Sequence, residues 1–181
     1  MTAQAPDSEW TLTTTSPDHT MRTGEALGRL LPPGSVVCLR GNLGSGKTRL
    51  TQGIGRGLGV CGAIHSPTFV FINEHPPCTS GPCLYHVDLY RIHDEADVLA
   101  LGLEEYMYGD GVTVIEWAER AEELMPPDCL WVTLRYVDEH TRDLTFQAGG
   151  PAYTRLLARL RQDLGDAPGA EGAAPATDGA A

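Results

Sequence analysis

The sequence predicts an α/β fold: a single, mostly parallel sheet flanked by helices, with an antiparallel hairpin near the C-terminus. Two observations support this class. Strand-like apolar runs alternate with helix-like segments through the first two thirds of the 181 residues, as is typical of α/β sheets. A glycine-rich turn at residues 41–48 also lies between a buried strand and a helix. Because a chain of this length has room for one domain with a proper core, we expect that domain to span residues 9–164.

The elements follow one another in a regular order. Residues 9–14 alternate as a strand, and Ser16 begins a helix that must end at Pro32. Further strands, rich in apolar or β-branched residues, are predicted at 36–39, 69–72, 84–88 and 112–116. Helices are predicted between and after them, at 49–58, 94–101 (capped by Asp94) and 118–124. Strand-like runs at 129–137 and 143–146 predict the hairpin, and residues 153–164 close the domain as an amphipathic helix.

Composition limits the class of protein. With 13 Lys and Arg against 24 Asp and Glu, the net charge of -11 argues against direct binding of a polyanion, so a nucleic-acid role would be indirect. No run approaches the roughly 18 apolar residues of a membrane span, so we expect no membrane association and a cytoplasmic location. Residues 1–8 are expected to be flexible, and residues 165–181, mostly Gly, Ala, Pro and acids, to form a disordered tail.

The five cysteines form an odd, scattered set, which predicts reduced thiols. One cluster, His75, Cys78, Cys83 and His86, has ligand types and spacing that resemble a small zinc site. The Pro-Cys pairs within it equally suit a plain loop, and we favour the loop.

Residues 41–48 fit the P-loop pattern G-x-x-x-x-G-K-[S/T] at every fixed position. They are Gly41, Asn42, Leu43, Gly44, Ser45, Gly46, Lys47 and Thr48. The glycines allow a tight turn that points N–H groups at phosphate oxygens, and the N-terminus of the next helix adds positive partial charge. We expect Lys47 to reach the β and γ phosphates of a nucleotide and Thr48 to place its hydroxyl on Mg²⁺. The segment therefore predicts a nucleotide-phosphate site.

Two acids lie where a P-loop site needs a metal-holding carboxylate. Glu116 and Asp88 each end an apolar strand, and ligands of open α/β sheets bind at the carboxyl ends of strands. We predict that these two acids are the candidates for the carboxylate that helps to hold Mg²⁺. Thr68, in the loop after Ser66, is a candidate to sense the γ-phosphate. Trp117 is predicted to be ordinary core.

Taken together, the motifs resemble one family. The resemblance depends on the P-loop, Ser-Pro-Thr-Phe (66–69), Tyr-His-Val-Asp-Leu-Tyr-Arg (85–91), Leu-Gly-Leu-Glu-Glu (101–105) and Ile-Glu-Trp-Ala-Glu-Arg (115–120). Their order and spacing are similar to those of the TsaE (YjeE) ATPases. The resemblance covers about residues 10–160.

This resemblance implies an ATP- and Mg²⁺-dependent P-loop ATPase required for threonylcarbamoyl modification of adenosine 37 in tRNAs that read codons beginning with adenine. It implies that the chain acts with TsaD and TsaB to reset the modification complex, with tRNA held by those partners. It also implies catalytic roles for Asp88, Glu116 and Thr68, metal roles for Thr48 and Glu116, and a position near the nucleotide base for Arg142 and the segment around Ser16–Asp18.

Other functions compete with this one. A small-molecule kinase has the same phosphate cradle, but no clear arginine-bearing lid is visible. A GTPase is disfavoured because asparagine occurs only at Asn42 and Asn73, which excludes the guanine-reading Asn-Lys-x-Asp motif. A nucleotide-gated binding module, in which hydrolysis is incidental, also stays open.

Overall fold

The computed structural model describes residues 8–67, 69, 71–92 and 95–165. Thr68, Val70 and Asp94 lie outside the described residues. So do the predicted flexible N-terminus, apart from Ser8, and the predicted tail, apart from Gly165. The domain limits at residues 9 and 164 therefore stay a prediction.

The described residues form one mixed sheet of seven strands. The strands are β1 (Glu9–Thr14), β2 (Val36–Arg40), β3 (Ile72–His75), β4 (Leu84–Asp88), β5 (Val112–Glu116), β6 (Leu130–Tyr136) and β7 (Arg142–Ala148), in the order β1-β7-β6-β2-β5-β4-β3. The central strands β6, β2, β5 and β4 are parallel. Antiparallel pairing adds β7 and β1 at one side and β3 at the other. The predicted α/β class and the C-terminal hairpin are confirmed.

Helices cover both faces of this sheet. They are α1 (Pro17–Leu30), α2 (Lys47–Gly57), α3 (Glu95–Ala100), α4 (Leu103–Met107), the 3₁₀ helix Ala118–Leu124 and α5 (Pro151–Leu164). Alternate residues of β2 face different cores: Val37 and Leu39 join one core with α1, α2 and α5, whereas Val36 and Cys38 join a second core with α3 and α4. No helix within the described residues has the length and apolar character needed to cross a membrane.

Two segments differ from the sequence prediction for local reasons. Within the described residues, the strand predicted at 69–72 begins at Ile72. Phe71 precedes it with a left-handed φ of 66°, which is unfavourable in a strand, and its N–H bonds Pro67 O at 2.7 Å. That strand then continues to His75, in the stretch predicted as a loop. The helix predicted at 118–124 is a 3₁₀ helix, interrupted at Ala121 (φ -142°, ψ 39°).

A disulfide joins Cys61 to Cys78, with 5.0 Å between their Cα atoms. The prediction of five reduced thiols is therefore wrong for this pair. A bridge between Val60 and Pro77, and a bond from Cys78 N to Gly59 O at 2.8 Å, bring the two chain segments together. Among the described residues, no group of three or more His, Cys, Asp or Glu could hold a metal ion, so the zinc hypothesis gains no support.

We expect protein purified without reductant to have three alkylatable thiols out of five when denatured, and all five after reduction. Mass spectrometry after alkylation checks this count, and peptide mapping identifies the pair. Closing a loop of this size should stabilise the fold by about 3 kcal/mol, so reduction should lower the midpoint of urea unfolding. Five alkylated thiols without reduction would contradict the assignment.

Helices α1 and α2 cross with their backbones in contact. The crossing uses glycines four residues apart on each helix, Gly24 and Gly28 on α1, and Gly53 and Gly57 on α2. A Cβ atom added at Gly53 would lie 2.1 Å from Met21 O, and one at Gly24 would lie 2.3 Å from Leu50 O. Because these neighbours are backbone atoms, they cannot rotate away. The crossing therefore fixes α2, which begins at the P-loop, against α1.

Replacing Gly53 with alanine should destabilise the domain. Alanine improves helix propensity by about 1 kcal/mol, but forcing α1 and α2 apart should cost about 1–3 kcal/mol. Because the added Cβ would lie 2.1 Å from Met21 O, we expect a cost at the upper end of that range. We expect a net loss in the free energy of unfolding, measured with urea. Arg56→Ala, at an exposed position of the same helix, is the control and should change stability little. A Gly53→Ala variant more stable than the wild type would show that the helices can separate freely.

Candidate nucleotide-binding site

The P-loop lies between the end of β2 and the start of α2, as predicted. Gly41, Gly44 and Gly46 have φ values of 147°, 76° and 103°, which disfavour residues with a side chain. A Cβ at Gly41 would also lie 2.4 Å from Leu134 O. Gly46 is the N-cap of α2 and provides no side-chain cap, so the N–H groups of the first turn are left for an anion.

Lys47 spans the loop. Its Nζ donates to Gly41 O at 2.6 Å and to Asn42 O at 3.1 Å, and it lies 3.8 Å from the ring centroid of Trp117. Burial lowers the pKa of the Lys47 ammonium, while the carboxylates of Glu116, Glu119 and Asp88 oppose that shift. The ammonium group is thus held beside the loop carbonyls and faces the acids across the cleft.

Glu116 is buried at the end of β5 and contacts the helix that follows the P-loop. Thr48 Oγ1 donates to Glu116 Oε2 at 2.9 Å, and Thr51 Oγ1 donates to Oε1 at 3.3 Å. His86 Nε2 lies 2.7 Å from the same Oε1. The register explains this meeting, because Glu116 pairs with Leu39, just before the P-loop. Both predicted metal residues, Thr48 and Glu116, are therefore in direct contact.

Asp88 lies beside Glu116, its partner across the parallel pair β4 and β5. Ser66 Oγ donates to Asp88 Oδ2 at 2.6 Å, and Tyr90 N donates to Oδ1 at 2.9 Å. These hydrogen bonds fix the Asp88 carboxylate at the carboxyl end of β4. They also bring Ser66, in the segment that leads to Thr68, to the same site.

These side chains surround one cleft of about 410 Å³. Its lining is Leu43, Gly44, Gly46, Lys47, Thr48, Arg49, Ser66, Asp88, Tyr90, Glu116 and Trp117. Trp117 was predicted to be core, yet it is only half buried; its ring packs against Tyr90 with centroids 5.0 Å apart and forms one wall. Its left-handed φ of 59° turns the chain sharply after Glu116.

A second recess of about 190 Å³ lies on the other side of Gly44. Arg142, predicted in the turn of the hairpin, is the first residue of β7 and lines this recess with Pro17 and His140. Arg142 Nη2 donates to Gly44 O at 3.3 Å, and the guanidinium lies 4.4 Å from the ring centroid of Tyr136. The start of α1 and the hairpin therefore both meet the P-loop.

The side chains in the main cleft fit a hard cation. Thr48, Glu116 and Asp88 offer hydroxyl and carboxylate oxygens, which are the ligands that Mg²⁺ prefers. Among the described residues, no thiol lines this cleft, so they offer a softer metal no matching sulfur ligand there.

Sequence reasoning missed several contacts of these acids. Ser66 stood inside a recognised motif without an assigned role, His86 was considered only as one ligand of the zinc cluster, and Thr51 had no role. A weak signal was present for two of them: Thr51 lies three residues after Thr48, on the same side of a helix, and His86 lies two residues before Asp88, on the same face of a strand. Which carboxylate each one contacts depends on strand order, which the sequence does not reveal.

Comparisons with known proteins agree on one family. The model of the family described as "Threonylcarbamoyl adenosine biosynthesis protein TsaE" matches residues 14–144. A protein from Bacillus subtilis strain 168 named "tRNA threonylcarbamoyladenosine biosynthesis protein TsaE" is 37% identical over 147 residues, covering 81% of this chain and 90% of its own length. A protein of the same name from Streptomyces coelicolor is 49% identical over 105 residues, covering 56% of this chain and 69% of its own.

A solved structure gives the same result for the fold. The crystal structure of YdiB from Bacillus subtilis superposes with a TM-score of 0.73 at 32% identity, covering 87% of this chain and 97% of that one. The sheet, the P-loop and the family match thus agree, and the chain is a member of the TsaE family with a P-loop NTPase fold.

Proposed function

We propose that this chain binds and hydrolyses ATP with Mg²⁺, as the ATPase subunit that acts with TsaD and TsaB in the threonylcarbamoyl modification of adenosine 37 of tRNA. The observation that carries the proposal is the contact of Thr48 with Glu116 at 2.9 Å, beside Lys47 and Asp88, in one cleft at the P-loop. A phosphate cradle joined to a buried acid is the arrangement that phosphoryl transfer to water requires. Membership of the TsaE family supplies the pathway.

Each residue has a separate task in this mechanism. The N–H groups at the start of α2 and the ammonium of Lys47 neutralise charge on the β and γ phosphates. For this, Lys47 Nζ exchanges its bonds to Gly41 O and Asn42 O for phosphate oxygens. Thr48 and Glu116 would hold Mg²⁺, which when bound offsets phosphate charge. Asp88, fixed by Ser66 and Tyr90, orients the attacking water together with Thr68.

The tRNA is held by the partner subunits rather than by this chain. The formal net charge of -11 does not favour direct contact with a polyanion. Hydrolysis then serves to reset the complex between rounds of modification. A cytoplasmic location follows from this role, because the substrate complex contains tRNA.

Reconstitution tests the proposed function. We expect TsaD, TsaB, tRNA and a threonylcarbamoyl donor to give many modified tRNAs per complex only when this chain and ATP are both present. Modification that proceeds through many rounds without this chain would contradict the role. The rival small-molecule kinase predicts no effect of the chain on tRNA and a phosphorylated product when candidate acceptors are screened with labelled ATP.

A further inference from the structure

His86 is completely buried in the middle of β4 and has one polar contact in the described structure. Its Nε2 lies 2.7 Å from Glu116 Oε1. His86 pairs with Val114 of β5, so Glu116 is its diagonal neighbour on the same face of the sheet. Side chains at such diagonal positions can meet when they are long. The contact is therefore set by the strand register.

The chemistry of the two groups determines which one donates the hydrogen bond between His86 and Glu116. Because carboxylate oxygens only accept hydrogen bonds, Nε2 carries the proton of this bond. His86 Nδ1 is buried with no hydrogen-bond partner among the described residues. Leaving a buried polar atom unpaired is unfavourable, and an apolar side chain at this position would avoid it. The hydrogen bond to Glu116 is thus the interaction for which a polar side chain is needed at position 86.

That bond acts on the oxygen of Glu116 that faces away from Thr48. Oε1 accepts from His86 and Thr51, while Oε2 accepts from Thr48 at the wall of the cleft. Holding Oε1 fixes the carboxylate plane and therefore directs Oε2 at Thr48. Groups that orient a metal-binding carboxylate in this way typically change metal affinity by about 10–100-fold when they are removed.

We propose that His86 is the positioning residue of Glu116: its Nε2–H holds Oε1 so that Oε2 and the Thr48 hydroxyl present a ready-made site for the divalent cation that accompanies ATP. This role rests on the proposed function, because it assigns the metal to Glu116. It predicts an effect on metal affinity that is separate from nucleotide affinity, since Lys47 and the loop N–H groups do not contact His86.

The positioning role of His86 is tested with variants that differ in where the side chain places its N–H donor. His86→Gln carries an N–H at the level of Nε2, whereas His86→Asn carries it one atom nearer the backbone, out of reach of Glu116. Electron paramagnetic resonance of Mn²⁺, titrated into protein saturated with a non-hydrolysable ATP analogue, gives the metal dissociation constant. We expect His86→Asn to raise this constant at least about tenfold and His86→Gln to stay within about threefold of the wild type. Affinity for the analogue in the presence of EDTA should not change.

Three controls make the result decisive. Thermal melting verifies that each variant is folded, and His86→Met, which fills the space without a donor, replaces His86→Asn if that variant unfolds. In a Glu116→Gln background, His86→Asn should weaken Mn²⁺ binding no further, because the group it orients is already changed. Folded donor-less variants that bind Mn²⁺ like the wild type, or a glutamine variant as weak as asparagine, would overturn the role of His86. A wild-type protein that binds neither the analogue nor Mn²⁺ would instead overturn the proposed function.

Discussion

Glu116→Gln is expected to slow ATP hydrolysis by about 10²–10³-fold, the usual effect of removing one group that stabilises charge in a transition state. The substitution keeps the volume of the side chain but removes the negative charge that faces Thr48 at 2.9 Å. Because phosphoryl transfer depends on position and electrostatics rather than on covalent chemistry, the fold should persist while turnover fails. Steady-state phosphate release at saturating ATP measures this effect.

Glu119→Gln is the matched control for that variant. Glu119 is an exposed acid three residues further along the chain, and its carboxylate also acts on Lys47 through space. It should keep hydrolysis within about threefold, because screening by solvent weakens exposed charges. If Glu116→Gln turned over as fast as the wild type with nucleotide saturation verified, Glu116 would have no part in the chemistry.

Lys47→Met is expected to raise the dissociation constant of ATP by at least tenfold, equal to about 1.4 kcal/mol of binding free energy. Methionine keeps an unbranched apolar stem but removes the ammonium group, which lies 3.8 Å from the centroid of the Trp117 ring. No other lysine can replace it, because Lys47 is the only lysine in the chain. Isothermal titration calorimetry with a non-hydrolysable analogue measures the change.

Arg56→Met separates a local effect from a loss of net charge. Arg56 is exposed on the same helix as Lys47 and does not line the main cleft, and the substitution removes the same unit of charge. We expect ATP affinity within about twofold of the wild type for this control. Equal losses of affinity in the two variants would mean that Lys47 acts only through the net charge of α2.

The sequence predicted those parts of the fold that depend on local pattern. The P-loop can be identified from the sequence because its pattern of glycines, Lys47 and Thr48 lies in a short segment between a strand and a helix. Asp88 and Glu116 were found because each ends an apolar strand. The cap at Ser16 also follows from local chemistry, and its Oγ accepts from His19 N as a helix start requires.

The parts that could not be predicted depend on which strands become neighbours. The position of β2 between β6 and β5 places Leu39 beside Glu116, and β4 beside β5 places His86 within reach of the same acid. Neither contact has a signature in the linear sequence. The Cys61–Cys78 disulfide likewise depends on a bridge between distant segments. Phe71 itself has a left-handed φ despite its β propensity, and its N–H bonds Pro67 O.

The proposed function is tested most directly by ATP hydrolysis by the purified chain, alone and with TsaD and TsaB, with wild type beside Glu116→Gln. We expect slow hydrolysis by the chain alone, a clear rise when both partners are present, and no rise for the variant. Rapid hydrolysis or transfer that is indifferent to the partners would contradict it and favour a free-standing phosphotransferase.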